Sequence, residues 1–231
     1  MITESHIDRF IESLLAGDRP ASRALIDDLL SRGTSPEQVV ADLCWPAYEN
    51  VERAFRQDKL TRLVHHLATR LLRVLVDQTA ARFTRLNSNG RSIFAFCGPN
   101  DADELAAQMA VDMLEAHGFE VTFAGGGIAS DEILAQVQTN QPDVLLLFAS
   151  APGDLPTIRE MIDTMHEIGA CRKTQIVVGG GVFNRADGLA EEIGADLWAS
   201  DPMELVAEIE SEPGRRAAAS QRTVGKKRRA A

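Results

Sequence analysis

The segment Ser92–Ala124, SIFAFCGPNDADELAAQMAVDMLEAHGFEVTFA, decides the architecture. It opens with an apolar run, Ile93 to Cys97, and crosses a polar loop, Gly98 to Asp103. An amphipathic pattern with Leu105, Met109, Met113 and Leu114 on its apolar side follows, and stops at Gly118. A second apolar run, Phe119 to Phe123, comes directly after. Strand, loop, helix and strand in this order make a βαβ unit. Ligands of open α/β sheets sit at the carboxyl ends of the strands, so the loop GPNDADELA, 98–106, is where binding or chemistry is expected.

Further strands are predicted at Val144–Phe148, Ile176–Val178 and Leu197–Ala199, with helices at Asp131–Thr139, Leu155–Ile168, Ala186–Ile193 and Met203–Glu210. Their apolar runs do not alternate with polar residues, which implies strands buried on both faces of a parallel sheet covered by helices. Upstream the periodicity is helical, over Glu4–Ala16, Ala21–Arg32, Pro36–Gln57 and Leu60–Phe83. Short connections between four such helices suggest a bundle, and Pro46 is expected to kink or split the third near Trp45. The polar linker Asn87–Arg91 marks the change of period, giving a helical domain at 1–88, an α/β domain at 89–212 and a basic disordered tail at 213–231.

The formal net charge is −10, yet from Pro213 on there are seven basic residues and no acidic ones, which leaves about −17 for residues 1–212. A body this acidic is not expected to hold nucleic acid, whose phosphates need clustered Lys and Arg. Cys44, Cys97 and Cys171 are odd in number and widely spaced, fitting neither a disulfide framework nor a zinc site. No apolar run approaches the roughly 18 residues of a membrane span, and the amphipathic start ITESHIDRFIESLL is unlike a signal peptide, so a cytoplasmic location is expected. A two-component receiver is disfavoured, because VLLLFAS at 144–150 lacks a phosphoacceptor Asp and LWASDP at 197–202 lacks a Lys. Dinucleotide binding is disfavoured too, since no G-x-G-x-x-G follows the first strand. No nucleophile with a partnered base can be read, and the chain is not expected to be an enzyme.

The first loop resembles that of cobalamin-binding domains of the methionine-synthase and mutase type, which carry D-x-H-x-x-G here, then a helix and a G-[FY]-E-V strand. Asp101 matches the motif's Asp, while Asp103 stands in the place of the cobalt-ligating His and Ala106 in that of the Gly. The segment FASAPGDLPTIREMI resembles the stretch where corrinoid proteins present a Ser to the nucleotide tail, and Ser150 matches it. Gly179, Gly180 and Gly181 match the glycine-rich closing stretch, where they would let a bulky group approach. The helical half is similar to the cap of cobalamin-based light-sensing regulators, with Phe55 at a Trp position, His65 at a Glu position and His66 at a His position. Adjacent helical residues point about 100° apart, so His65 and His66 cannot both face one ligand, and His66 is the candidate metal ligand. Carboxylate is a harder donor than imidazole, which argues against cobalt ligation by Asp103.

The architecture expected is α/β: an N-terminal four-helix bundle cap, then a flavodoxin-like (Rossmann-like) five-stranded parallel sheet of order 2-1-3-4-5. The resemblance implies a tetrapyrrole, cobalamin, with haem or a linear bilin as other candidates. It would be held by Phe55, His65, His66, Asp101, Asp103, Ser150 and Gly179–Gly181. The function this implies is a sensory or regulatory protein that signals through ligand-dependent domain packing or homo-oligomerisation, with a regulatory protein partner and no DNA-binding head of its own. The alternatives are a cofactor-free interaction scaffold and a corrinoid carrier for a methyltransferase, although such carriers depend on the His that this loop lacks.

Overall fold

The structure is a computed structural model that describes residues 2–169, 171–218 and 221. The chain divides into two compact units, Met1–Leu86 and Asn87–Ala231. No helix among the described residues is long and apolar enough to cross a membrane.

The first unit is helical: α1 (Glu4–Leu15), α2 (Arg19–Ser31), α3 (Pro36–Val39), α4 (Trp45–Arg56) and α5 (Arg62–Ala80). Side-chain caps start several of them. Asp18 accepts from the Ala21 N–H at 3.0 Å, Thr61 from that of Val64 at 3.3 Å, and Ser35 and Gln38 satisfy each other's backbone in a capping box. Phe10, Leu14, Leu43, Leu72 and Leu75 form the fully buried interior.

The third predicted helix is interrupted just before Trp45, where the expectation placed the effect of Pro46, although the chain stays helical across the interruption. α3 continues through a π-helical turn, Val40–Cys44, directly into α4, and the Trp45 N–H donates to the Val40 carbonyl five residues back. The widened turn absorbs one extra residue where proline removes a donor, so the helix runs on. Cys44 lies in that turn with no exposed surface, and burial pushes its thiol up to about 12. A thiol so held has almost no thiolate at pH 8, so Cys44 is expected to escape maleimide in the native protein and react only after denaturation, as peptide mass mapping reads directly.

The second unit alternates strands and helices: β1 (Ser92–Cys97), α6 (Asp101–Ala116), β2 (Glu120–Gly126), α7 (Ser130–Asn140), β3 (Val144–Phe148), α8 (Leu155–Ile168), β4 (Gln175–Gly179), α9 (Leu189–Ile193), β5 (Leu197–Trp198) and α10 (Pro202–Ser211). The five strands form one parallel sheet of order β2-β1-β3-β4-β5, the order expected from the sequence. Every residue of β3 is buried. Phe94, Phe96, Leu145, Leu147, Ile176 and Val178 pack with Ile133, Val137, Met161 and Ile162 of α7 and α8. The alternate residues Ile93, Ala95 and Leu146 are equally buried on the face covered by α6 and α10.

One predicted helix is shorter than expected. In place of a helix from Ala186, a 3-10 turn at Phe183–Arg185 leads to Gly188 at φ 76°, and α9 begins only at Leu189. A residue in the left-handed region cannot lie inside an α-helix, so the Asp187–Gly188 step sets the later start. Residues 219, 220 and 222–231, most of the expected basic tail, lie outside the described residues. Its described start is fastened to the amino ends of the strands: the Ala217 N–H donates to Asp196 at 2.5 Å and Arg216 to the Lys173 carbonyl at 2.5 Å.

Candidate functional site

The sheet order reverses between β1 and β3, and the loops leaving their carboxyl ends meet there with the loop after β4. Backbone bonds fasten them. The Gly98 N–H donates to the Phe148 carbonyl at 3.0 Å, that of Ala149 to Gly179 at 3.0 Å, and that of Val182 to Ala149 at 3.3 Å. Gly180 has φ 102°, and a Cβ there would sit 2.9 Å from both the nitrogen and the carbonyl carbon of Ala149. At these glycines the chain's own groups approach closely. A Cβ on Gly179 would meet the Phe148 ring at 2.8 Å, and one on Gly181 would meet Arg185 Nη1 at 2.7 Å.

In the first loop Asp101 is exposed at the start of α6, whereas Asp103 is 1% exposed. Asp103 is not the helix cap: Asn100 holds that position, and its amide donates to Asp103 Oδ2 at 3.3 Å. The same Oδ2 lies 2.5 Å, and Asp154 Oδ2 3.0 Å, from where a Gly98 Cβ would stand, so two carboxyl groups converge over this glycine. Ser150, just beyond β3, has a buried hydroxyl without a hydrogen-bond partner among the described residues. Arg185 donates to the Ser150 carbonyl at 2.6 Å. Asp101, Asp103, Ser150 and Gly179–Gly181 therefore all belong to the carboxyl ends of the strands or the first turn beyond them.

In the helical unit Phe55, His65 and His66 are neighbours with unlike surroundings. The Phe55 and His65 rings stack at 4.0 Å, and buried His65 Nε2 donates to buried Glu52 Oε1 at 2.5 Å, joining α5 to α4. His66 turns its ring edge toward His65 at 6.0 Å and is half-buried, flanked by exposed Leu63 and Leu67. No side-chain partner of the His66 ring nitrogens is found among the described residues. No group of three or more His, Cys, Asp or Glu among them is placed to hold a metal ion, so a metal bound here would take its remaining ligands from elsewhere.

Three residues of these clusters escaped the sequence reading. Glu52 lies 13 positions before His65 on another helix, a separation without periodic signal. Asp154 ends a PGD turn of ordinary turn composition. Arg185 carried a legible signal, being the one basic residue in its loop.

A helical unit joined to a parallel α/β sheet with a glycine-rich, carboxyl-lined switch point defines a ligand-binding module of the doubly wound class. The chain belongs to the B12 binding domain family: a model of that description matches residues 91–207, half of the chain, and a second model, also described as a B12 binding domain, matches 6–79. Dimethylamine corrinoid protein 1 of Methanosarcina acetivorans is 27% identical over 107 residues, 46% of this chain and 49% of the relative. Dimethylamine corrinoid protein 3 of Methanosarcina mazei is 27% identical over 106 residues, 46% of this chain and 62% of the relative. The chain thus matches about half to three fifths of these curated relatives. The Methanosarcina barkeri monomethylamine corrinoid protein shares the fold, with a TM-score of 0.79 at 14% identity over 89% of this chain and 97% of that one.

Proposed function

We propose that this chain is a corrinoid-binding protein that carries its ligand for a separate methyltransferase. The observation that carries the reading is the buried, unpartnered Ser150 hydroxyl beside the Gly180–Gly181 loop at the switch point. A hydroxyl left without a partner is costly, and a polar ligand at the strand ends would satisfy it. The relatives named as corrinoid proteins, and the matching of both parts of the chain by B12 binding models, support the same reading. Bound corrinoid would supply a cobalt centre able to accept and release a methyl group. The chain's own part would be to hold that ligand and present it, with the chemistry left to the partner enzyme.

The residues fit the polar rim and tail of such a ligand better than they fit its metal. Position 103 offers a carboxyl packed over Gly98 beside Asp154, and a hard oxygen donor is poorly matched to cobalt where the resemblance places imidazole. Asp103 would therefore hold the ligand's polar periphery, and the cobalt chemistry would be supplied by the bound corrinoid without a protein donor at position 103. This departure favours the second reading, a light- or ligand-gated regulatory protein with a homo-oligomeric or protein-bound output, in which His66 of the helical unit is the candidate metal-facing imidazole.

Dark incubation of the purified protein with hydroxocobalamin, methylcobalamin, adenosylcobalamin, haem or biliverdin, followed by gel filtration with visible absorption, tests the proposal. A corrinoid band that co-elutes, with none for haem or biliverdin, is the expected result. Elution that shifts on illumination of the adenosylcobalamin complex would move the assignment to the sensory reading. The absence of every band would leave a cofactor-free scaffold.

A further inference from the structure

The five loops that leave the carboxyl ends of the strands, residues 98–100, 127–129, 149–154, 180–188 and 199–201, contain a single basic residue, Arg185. The same loops carry Asp154, Asp187 and Asp201, and the first turn of α6 adds Asp101 and Glu104 at its surface. An anion brought to this end of the sheet meets an acidic rim with one cationic point. That point is placed by structure, since the guanidinium donates to the Ser150 carbonyl at 2.6 Å and lies against Gly181, with Nη1 2.7 Å from where a Cβ would stand. The Ser150 hydroxyl lies 4.0 Å from the same Cβ position, buried and without a partner among the described residues. A charged fork, lying where the side chain of Gly181 would stand, and a hydroxyl donor thus share one edge of the loop.

We propose that Arg185, with Ser150, is the specificity-determining contact for the phosphoryl group of the ligand's nucleotide tail. The proposal rests on the corrinoid reading and deepens it. The amide side chains of a corrin ring are neutral and gain little from a guanidinium, whereas the tail phosphodiester is an anion whose oxygens suit its planar donors. Complete corrinoids would be taken and tail-less ones discriminated against. The acidic rim makes the choice sharper, because without Arg185 the phosphoryl group would face carboxylates with no cationic group in these loops to offset them.

Three probes separate charge from the rest of the ligand: hydroxocobalamin, diaquacobinamide, which lacks the tail, and cobinamide phosphate, which carries the anion without the base. Affinities are read by equilibrium dialysis with visible absorption. In Arg185→Gln, binding of hydroxocobalamin and cobinamide phosphate is expected to fall by about tenfold or more, as for loss of a hydrogen bond to a charged group, while diaquacobinamide stays within about twofold. Arg185→Lys keeps the charge without the fork and is expected to fall between, and the loss in Arg185→Gln should shrink as salt is raised. Equal weakening of all three probes, or of none, overturns the role of Arg185 and leaves the corrinoid reading standing. Wild-type protein that binds none of them overturns both.

Discussion

Replacing Gly180 by alanine is expected to destabilise the α/β unit by about 3 kcal/mol and to lower its melting temperature by about 6–12 °C, with loss of corrinoid binding. Two costs add at this position. Its φ of 102° lies in the region that side chains rarely adopt, which alone is worth about 1–2 kcal/mol. The new Cβ would also press on three backbone atoms of Ala149, the carbonyl oxygen nearest and the carbonyl carbon and nitrogen at 2.9 Å, and backbone cannot swing aside as a flexible side chain can. Relief requires parting the β3 and β4 loops, which breaks the Ala149 N–H bond to the Gly179 carbonyl and the Val182 N–H bond to Ala149. Ser150 and Arg185 are fixed by those loops, so binding is lost with stability. Gly127 supplies the control: its φ is 75°, yet nothing lies within 4 Å of a Cβ there. Gly127→Ala should show the conformational cost only, about 1 kcal/mol. Equal melting temperatures for the two variants, by thermal denaturation, would mean that the contact with Ala149 contributes nothing.

The architecture was legible because it rests on patterns that the chain repeats. Val144 to Phe148 is an unbroken apolar run and proves to be a fully buried central strand, and the βαβ reading of 92–124 fixed the direction of the first two strands. Local exceptions escaped because their causes are geometric. Pro46 marked the place of an irregularity near Trp45, but that the chain would accommodate it by a π-helical turn is announced by no propensity. At the site, sequence placed the candidate residues in the strand-end loops and gave the glycines an external purpose. The structure shows that Phe148, Ala149 and Arg185 occupy the space those glycines leave. Which atoms fill the absent side-chain positions depends on loops brought together across the sheet, and spacing along the chain does not encode it. The partnership of His65 with Glu52 was hidden for the same reason, as it joins separate helices.

That partnership gives the largest effect expected in the helical unit. Glu52→Ala should destabilise it by about 2–3 kcal/mol, seen as a fall of about 10 °C or more in the thermal transition followed by far-ultraviolet circular dichroism. Glu52 and His65 are each only 8% exposed, so water cannot take over the bond when the carboxyl is removed. His65 would keep a polar ring nitrogen facing an apolar hole, held there by its stacking on Phe55, and a buried donor without an acceptor costs more than the bond itself returned. The comparison that isolates this cost is Glu52→Leu with His65→Phe. It removes both polar groups at roughly constant volume, and should lie within about 1 kcal/mol of wild type although each single change is severe. The signature is thus strong coupling, with the double variant more stable than Glu52→Ala. Additive losses would show instead that the two residues stabilise the unit separately through packing. Because His66 follows His65 on the same helix turn, with its ring edge 6.0 Å away, corrinoid binding by the double variant gives a second reading. Retained binding would show that the pair serves the bundle alone, and lost binding at near-wild-type stability would place the orientation of α5 in the ligand's service.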